Sequence, residues 1–130
     1  MKKHRDLEVT GLTALHAGQF GQHHETSLRD LGMRPVSGEE YQSIRKTAYA
    51  AWDGKVHDVP HSRIRAGQEV VSTQRAIDMA KNGRKAADPP TGHQLPSGDV
   101  MLTDGHHGVV ADMLNGKTSS KIRVGTRYEA

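Results

Sequence analysis

The run Val100-Met101-Leu102-Thr103 stops at Asp104-Gly105-His106-His107, and Val109, Val110, Met113 and Leu114 then recur at helical spacing. A short apolar run followed at once by a helical apolar pattern dictates a strand, a tight turn and a helix packed back onto the strand. That unit commits the chain to an α/β class. The turn lies where the leading N–H groups of a helix have no intrahelical carbonyl and the helix dipole is positive. An anion, phosphate above all, is the natural guest of such a turn.

Other segments extend the pattern. Ser37 with Glu40 three residues on forms a capping box, and Tyr41, Ile44, Ala48, Ala51 and Trp52 repeat at helical spacing. They predict a helix over 38–53, closed by Gly54, with this stripe in the core. A second helix is predicted over 69–82, carrying Val70, Thr73, Ile77 and Ala80 on one face. Gly83 is its stop, with Arg84-Lys85 beyond at the negative pole. Between these helices, Lys55 to Gly67 reads as extended or loop-like because of Pro60.

Residues 86–99 are dense in turn formers and leave room for a short edge strand over 93–95. Ser97-Gly98 then turns into a strand over 99–103. A third helix follows over 106–115 with Gly116 as its stop, and the alternation Lys121-Ile122-Arg123-Val124 closes with a strand. Residues 1–36, interrupted by Gly11, Gly18, Gly21 and Gly32, predict an irregular N-terminal arm with a short helix over 26–31. The expectation is a small α/β (α+β) domain over 37–130, a short mixed sheet flanked by about three helices.

Leu, Ile, Val and Phe together number 23 of 130 residues, with one Trp and three Tyr, so the core is thin. A protein partner or a homo-oligomer, engaged through the arm, would supplement its burial. The formal net charge of +3 and pI near 9.3 suit a phosphate-bearing or nucleic-acid partner without requiring one. The absence of cysteine excludes disulfides, thiolate catalysis and cysteine zinc sites. No stretch approaches the ~20 apolar residues of a membrane span, and the basic start is not followed by an apolar run. A cytoplasmic location is expected, or incorporation into a particle assembled there.

Asp104 could orient an imidazole or hold a divalent metal, as a phosphodiesterase requires; equally, Asp-Gly could simply make the turn and cap the helix. His106 and His107 point in different directions, so one of them enters the pocket. The catalytic candidates are therefore His106, Asp104 and His107. For phosphate, the candidates are the backbone at Gly105, Gly108 and Val109. Arg63 and Arg65, at alternate positions of an extended segment, would approach from the side opposite the helix. No dedicated metal-ligand set stands out: Pro60 argues against the helix that would align His57 with His61, while His4, His23 and His24 lie in the arm. Lys117, Lys121, Arg123 and Arg127 make either a basic rim or a solvated face.

A long helix, a Pro-rich loop, then strand, Asp104-Gly105-His106-His107, helix with Ala111, Gly116 and a strand with Ile122 and Val124 resembles the ParB/sulfiredoxin-like superfamily. The segment Ile64-Arg65-Ala66-Gly67-Gln68-Glu69-Val70-Val71-Ser72-Thr73-Gln74 also looks like the lead into that family's first long helix, and the likeness covers residues 55–127. It implies a ParB-like domain that binds nucleic acid or a nucleotide, with metal-assisted phosphodiester hydrolysis by Asp104 and His106. Gly108 departs from the pattern, standing where the family has a phosphate-gripping arginine. The lack of cysteine removes sulfiredoxin chemistry, and no arginine-rich nucleotide box is present. The alternative expectation is a structural or interaction protein of a bacteriophage or mobile-element assembly, a minor virion component for example, in which the site has decayed.

Overall fold

The computed structural model describes residues 24–47, 54–83 and 89–130. Among them lie three α-helices, α1 (Gly38–Thr47), α2 (Thr73–Asn82) and α3 (His106–Leu114). Five strands, β2 (Val56–Pro60), β3 (Ile64–Arg65), β5 (Thr91–Gln94), β6 (Val100–Asp104) and β7 (Ser119–Val124), form a mixed sheet in the order β2-β7-β5-β6-β3. The pairs β3·β6 and β5·β7 are parallel, and β2·β7 and β5·β6 antiparallel. A separate two-stranded ribbon joins β1 (Glu25–Ser27) to β4 (Val70–Ser72). The class is the expected α/β domain, with a mixed sheet and three helices.

Side-chain alternation along β6 separates the two faces of the sheet. Val100 and Leu102 join Val109, Val110, Leu114, Ile122 and Val124 in the main core under α2 and α3. Met101 points the other way, into a smaller cluster with Ile44 of α1 and Leu95. The capping box forms as predicted: the Ser37 N–H donates to Glu40 Oε1 at 2.9 Å and the Glu40 N–H to Ser37 Oγ at 3.1 Å. Of the predicted apolar stripe, Ile44 is buried but Tyr41 is 48% exposed. Ala48, Ala51 and Trp52, like Arg84-Lys85, lie outside the described residues.

Three segments differ from the sequence expectation. Residues 24–36 are integral to the domain: Leu28, Leu31 and Met33 are buried in the main core, and 26–31 is a strand end and turn rather than a helix. The buried Thr26 and Thr73 hydroxyls, 2.7 Å apart, fasten this segment to α2. Residues 70–72, read as the first turn of the second helix, form β4 instead, because Val70 and Val71 gain a partner strand 43 residues and more upstream. β5 starts earlier than expected and is the central strand, not an edge. Gly92 makes that possible: a Cβ there would lie 2.6 Å from the Met101 carbonyl oxygen of the adjacent strand.

Candidate functional site

His106 and His107 open α3 and diverge, as expected, but each reaches a backbone amide. His106, 2% exposed, accepts the Gly67 N–H at Nε2 (3.0 Å). An imidazole accepting at Nε2 carries its proton on Nδ1. Burial, reinforced by His107 and opposed by Asp104, pushes the His106 pKa down to about 4, so the ring is neutral at pH 7. His107 accepts the Ser72 N–H at 2.9 Å, and Ser72 Oγ in turn accepts the Arg75 N–H and caps α2. Burial, then the positive charge of Arg75, lowers the His107 pKa as well.

The remaining turn residues are occupied locally. Exposed Asp104 accepts the Gly105 N–H at 2.9 Å, which shapes the turn. Gly105 has φ 88°, and a Cβ there would stand 2.6 Å from Pro90 Cα, so this position admits glycine alone without strain. The Gly108 and Val109 amides both point to the Gly105 carbonyl, at 3.0 and 3.2 Å. The amides heading the helix with no carbonyl before them in the helical register are those of His106 and His107.

The two arginines do not join this turn. Arg63 ends a 3₁₀ turn (His61–Arg63) rather than lying on an extended face; it donates to the Gly98 carbonyl and lies 6.0 Å over the Tyr128 ring. Arg65 pairs with Met101 in register and shares its face, the one opposite α3. There it grips both Glu40 carboxylate oxygens at 2.9 Å, Asp99 at 3.3 Å and the Pro35 carbonyl at 2.8 Å. It thereby ties α1 and the segment before it to the sheet. The Ser37 backbone and then Arg65 hold the Glu40 carboxyl below its usual range.

Two features escaped the sequence reading. Arg75 stands in the first turn of α2 beside His107; starting that helix at 69 hid the Ser72 cap that places it there. His61, Ser120 and Asp112 form a hydrogen-bonded chain from three separate elements, with no local spacing to announce it. Among the described residues, no three His, Asp or Glu side chains gather closely enough to hold a metal ion, and no helix is long and apolar enough to cross a membrane.

The α2 and α3 helices run parallel. Ser72 meets His107 at their N-terminal ends, and Asn115 Nδ2 donates to the Ala80 carbonyl at their C-terminal ends. Two positive helix poles therefore sit side by side, with Arg75 next to them and exposed. Such an arrangement can attract an anion; it lacks an unengaged Nε2 on either imidazole for taking up a proton. No family model, curated protein or solved structure matches this chain.

Proposed function

We propose that this chain is a ParB/sulfiredoxin-like domain that binds a phosphate-bearing ligand, nucleotide or nucleic acid, at the joined N-termini of α2 and α3, and that it binds without hydrolysing. The observation that carries this reading is the parallel pairing of the two helix starts through Ser72 and His107. Their positive poles add, and Arg75 supplies the cation that Gly108 cannot. Hydrolysis is disfavoured by the engagement of His106: its Nε2 is occupied, and a pKa of about 4 makes it a weak base at neutral pH.

The test is fluorescence anisotropy with labelled single- and double-stranded oligonucleotides and a labelled nucleotide, over a salt series, together with cleavage assays in Mg²⁺ and Mn²⁺. Salt-sensitive binding that weakens about tenfold in Arg75→Ala is expected, with no cleavage. Affinity unchanged by that substitution would remove the assigned site. Metal-dependent cleavage lost in His106→Ala would overturn the binding-only assignment.

A second reading is favoured by the same imidazole contacts. If the Asp-Gly-His-His turn serves architecture alone, the domain works by assembling with a protein partner or with copies of itself. Sedimentation showing a stable oligomer, with no polyanion bound, would select that reading.

A further inference from the structure

Residues 67–72 run from Ala66 to the start of α2, carry β4, and are the piece of chain to which β1 is paired. Both ends of this segment are secured by contacts that a proton in the mildly acid range leaves alone. At one end the Ala66 N–H donates to the Arg34 carbonyl at 2.8 Å, next to Pro35, whose own carbonyl Arg65 holds. At the other the Thr26 and Thr73 hydroxyls stand 2.7 Å apart, and the Thr73 N–H donates to the His24 carbonyl at 2.9 Å. Between the two ends the segment meets α3 through imidazoles. The Gly67 N–H donates to His106 Nε2 at 3.0 Å and the Ser72 N–H to His107 Nε2 at 2.9 Å. The Val70 carbonyl is taken by Gln68 Nε2 at 2.7 Å, from within the segment itself.

Each ring is an acceptor in its contact, and an imidazolium has nothing to accept with. A proton on either Nε2 therefore sets one N–H against another and breaks the contact outright. The cations would also stand at the head of α3, beside its positive pole, where they are disfavoured. Asp104 favours a charge on His106 but His107 opposes it, and Arg75 of α2 opposes a charge on His107. The ribbon side brings His24, Glu25 and Glu69, all exposed, with Glu25 opposite Ser72 in register. Burial lowers both imidazole pKa values while the contacts are made, so a segment lifted off α3 binds protons that the closed one does not.

We propose that residues 67–72 form an acid-released strap: proton uptake by His106 and His107 frees it from α3, and it lifts away with β1 between its two fixed ends while the five-stranded sheet stays folded. Ser72 then no longer caps α2, and Val71, 1% exposed in the closed form, is uncovered. The device stands on the two imidazole contacts and holds whatever the helix starts bind.

Hydrogen exchange of the full chain, followed in ¹H–¹⁵N spectra from neutral pH down to about 4, gives a protection factor for each amide. The Gly67 and Ser72 amides should lose protection by up to about a hundredfold per pH unit, about tenfold for each imidazole that gains a proton. Amides of β5, β6 and β7 should keep higher protection throughout. His106→Gln and His107→Gln, made separately, each leave one titrating acceptor and should halve that slope on a logarithmic scale. A common protection factor for strap and sheet at every pH means unfolding of the whole domain and overturns the proposal, as does strap protection that ignores pH. Should His106→Gln fail to fold, the less buried His107 variant decides on its own.

Discussion

His106 and Arg65 are both nearly buried, at 2% and 9% exposure, and each ties a distant segment to the sheet, one on either face. The first does so as a neutral acceptor of one backbone N–H, the second as a permanent cation surrounded by two carboxylates and a carbonyl. A neutral imidazole is inexpensive to bury, and a single proton undoes it. A guanidinium cannot be titrated, but it demands enough acceptors, and Arg65 Nε is still left without one. The two faces should therefore fail under different conditions, the histidine face in mild acid and the arginine face only at lower pH, where Glu40 protonates.

The largest expected effect breaks the histidine lock from the backbone side. In Gly67→Ala the new Cβ would stand 2.0 Å from the Leu102 carbonyl oxygen, so the loop must leave the sheet and abandon His106. A loss of about 4 kcal/mol in urea unfolding is expected. Next comes Arg65→Ala, which strands two carboxylates and the Pro35 carbonyl, at about 3 kcal/mol. Arg65→Lys should recover little, because an ammonium cannot span both Glu40 oxygens.

Acid sharpens the comparison. In the unfolded chain His106 takes up a proton near pH 6.5, in the native protein only near 4. Between those values the unfolded state carries the extra proton, so stability present above pH 6.5 drains away as pH falls towards 4, by on the order of 3 kcal/mol. The Glu40 contribution has the same sign but lies lower, since its folded pKa is depressed below 4.5 and the stability it confers is lost only as pH falls further. His106→Gln keeps an acceptor for Gly67 and should flatten the upper part of this profile while leaving the lower part intact. The smallest effect is that of His107→Ala, about 1 kcal/mol, because its ring is less buried than that of His106. Chemical denaturation of each variant across pH checks all of these.

Local chemistry made much of the fold legible. Ser37 and Glu40 announced α1, Gly98 and Gly116 marked a turn and a helix end at positive φ, and the apolar spacing after Gly105 gave α3 its buried residues. Long-range pairing was not legible. Nothing near Thr26 says that it will meet Thr73, so a strand resembled an arm, and Val70-Val71 passed for the start of a helix. Thr91 to Gln94 is polar enough to suggest an edge, yet Gly92 and the parallel β7 place it at the centre. The site was half legible for the same reason. The Asp-Gly-His-His turn stands where expected, but its partners Gly67, Ser72 and Arg75 come from a segment whose path depends on the ribbon β1·β4.

The placement of β7 has a consequence for how the protein is made. It is the last described strand in the chain, and it lies between β2 and β5, antiparallel to one and parallel to the other. On the ribosome, β2 emerges more than 60 residues before its partner and waits with Val59 uncovered. The five-stranded sheet cannot close until Ile122 and Val124 have left the exit tunnel, so its closure waits for β7 and is slowed by the loop that must be closed. A nascent chain arrested before Ser119 should remain protease-sensitive throughout, and one arrested well after Val124 should not.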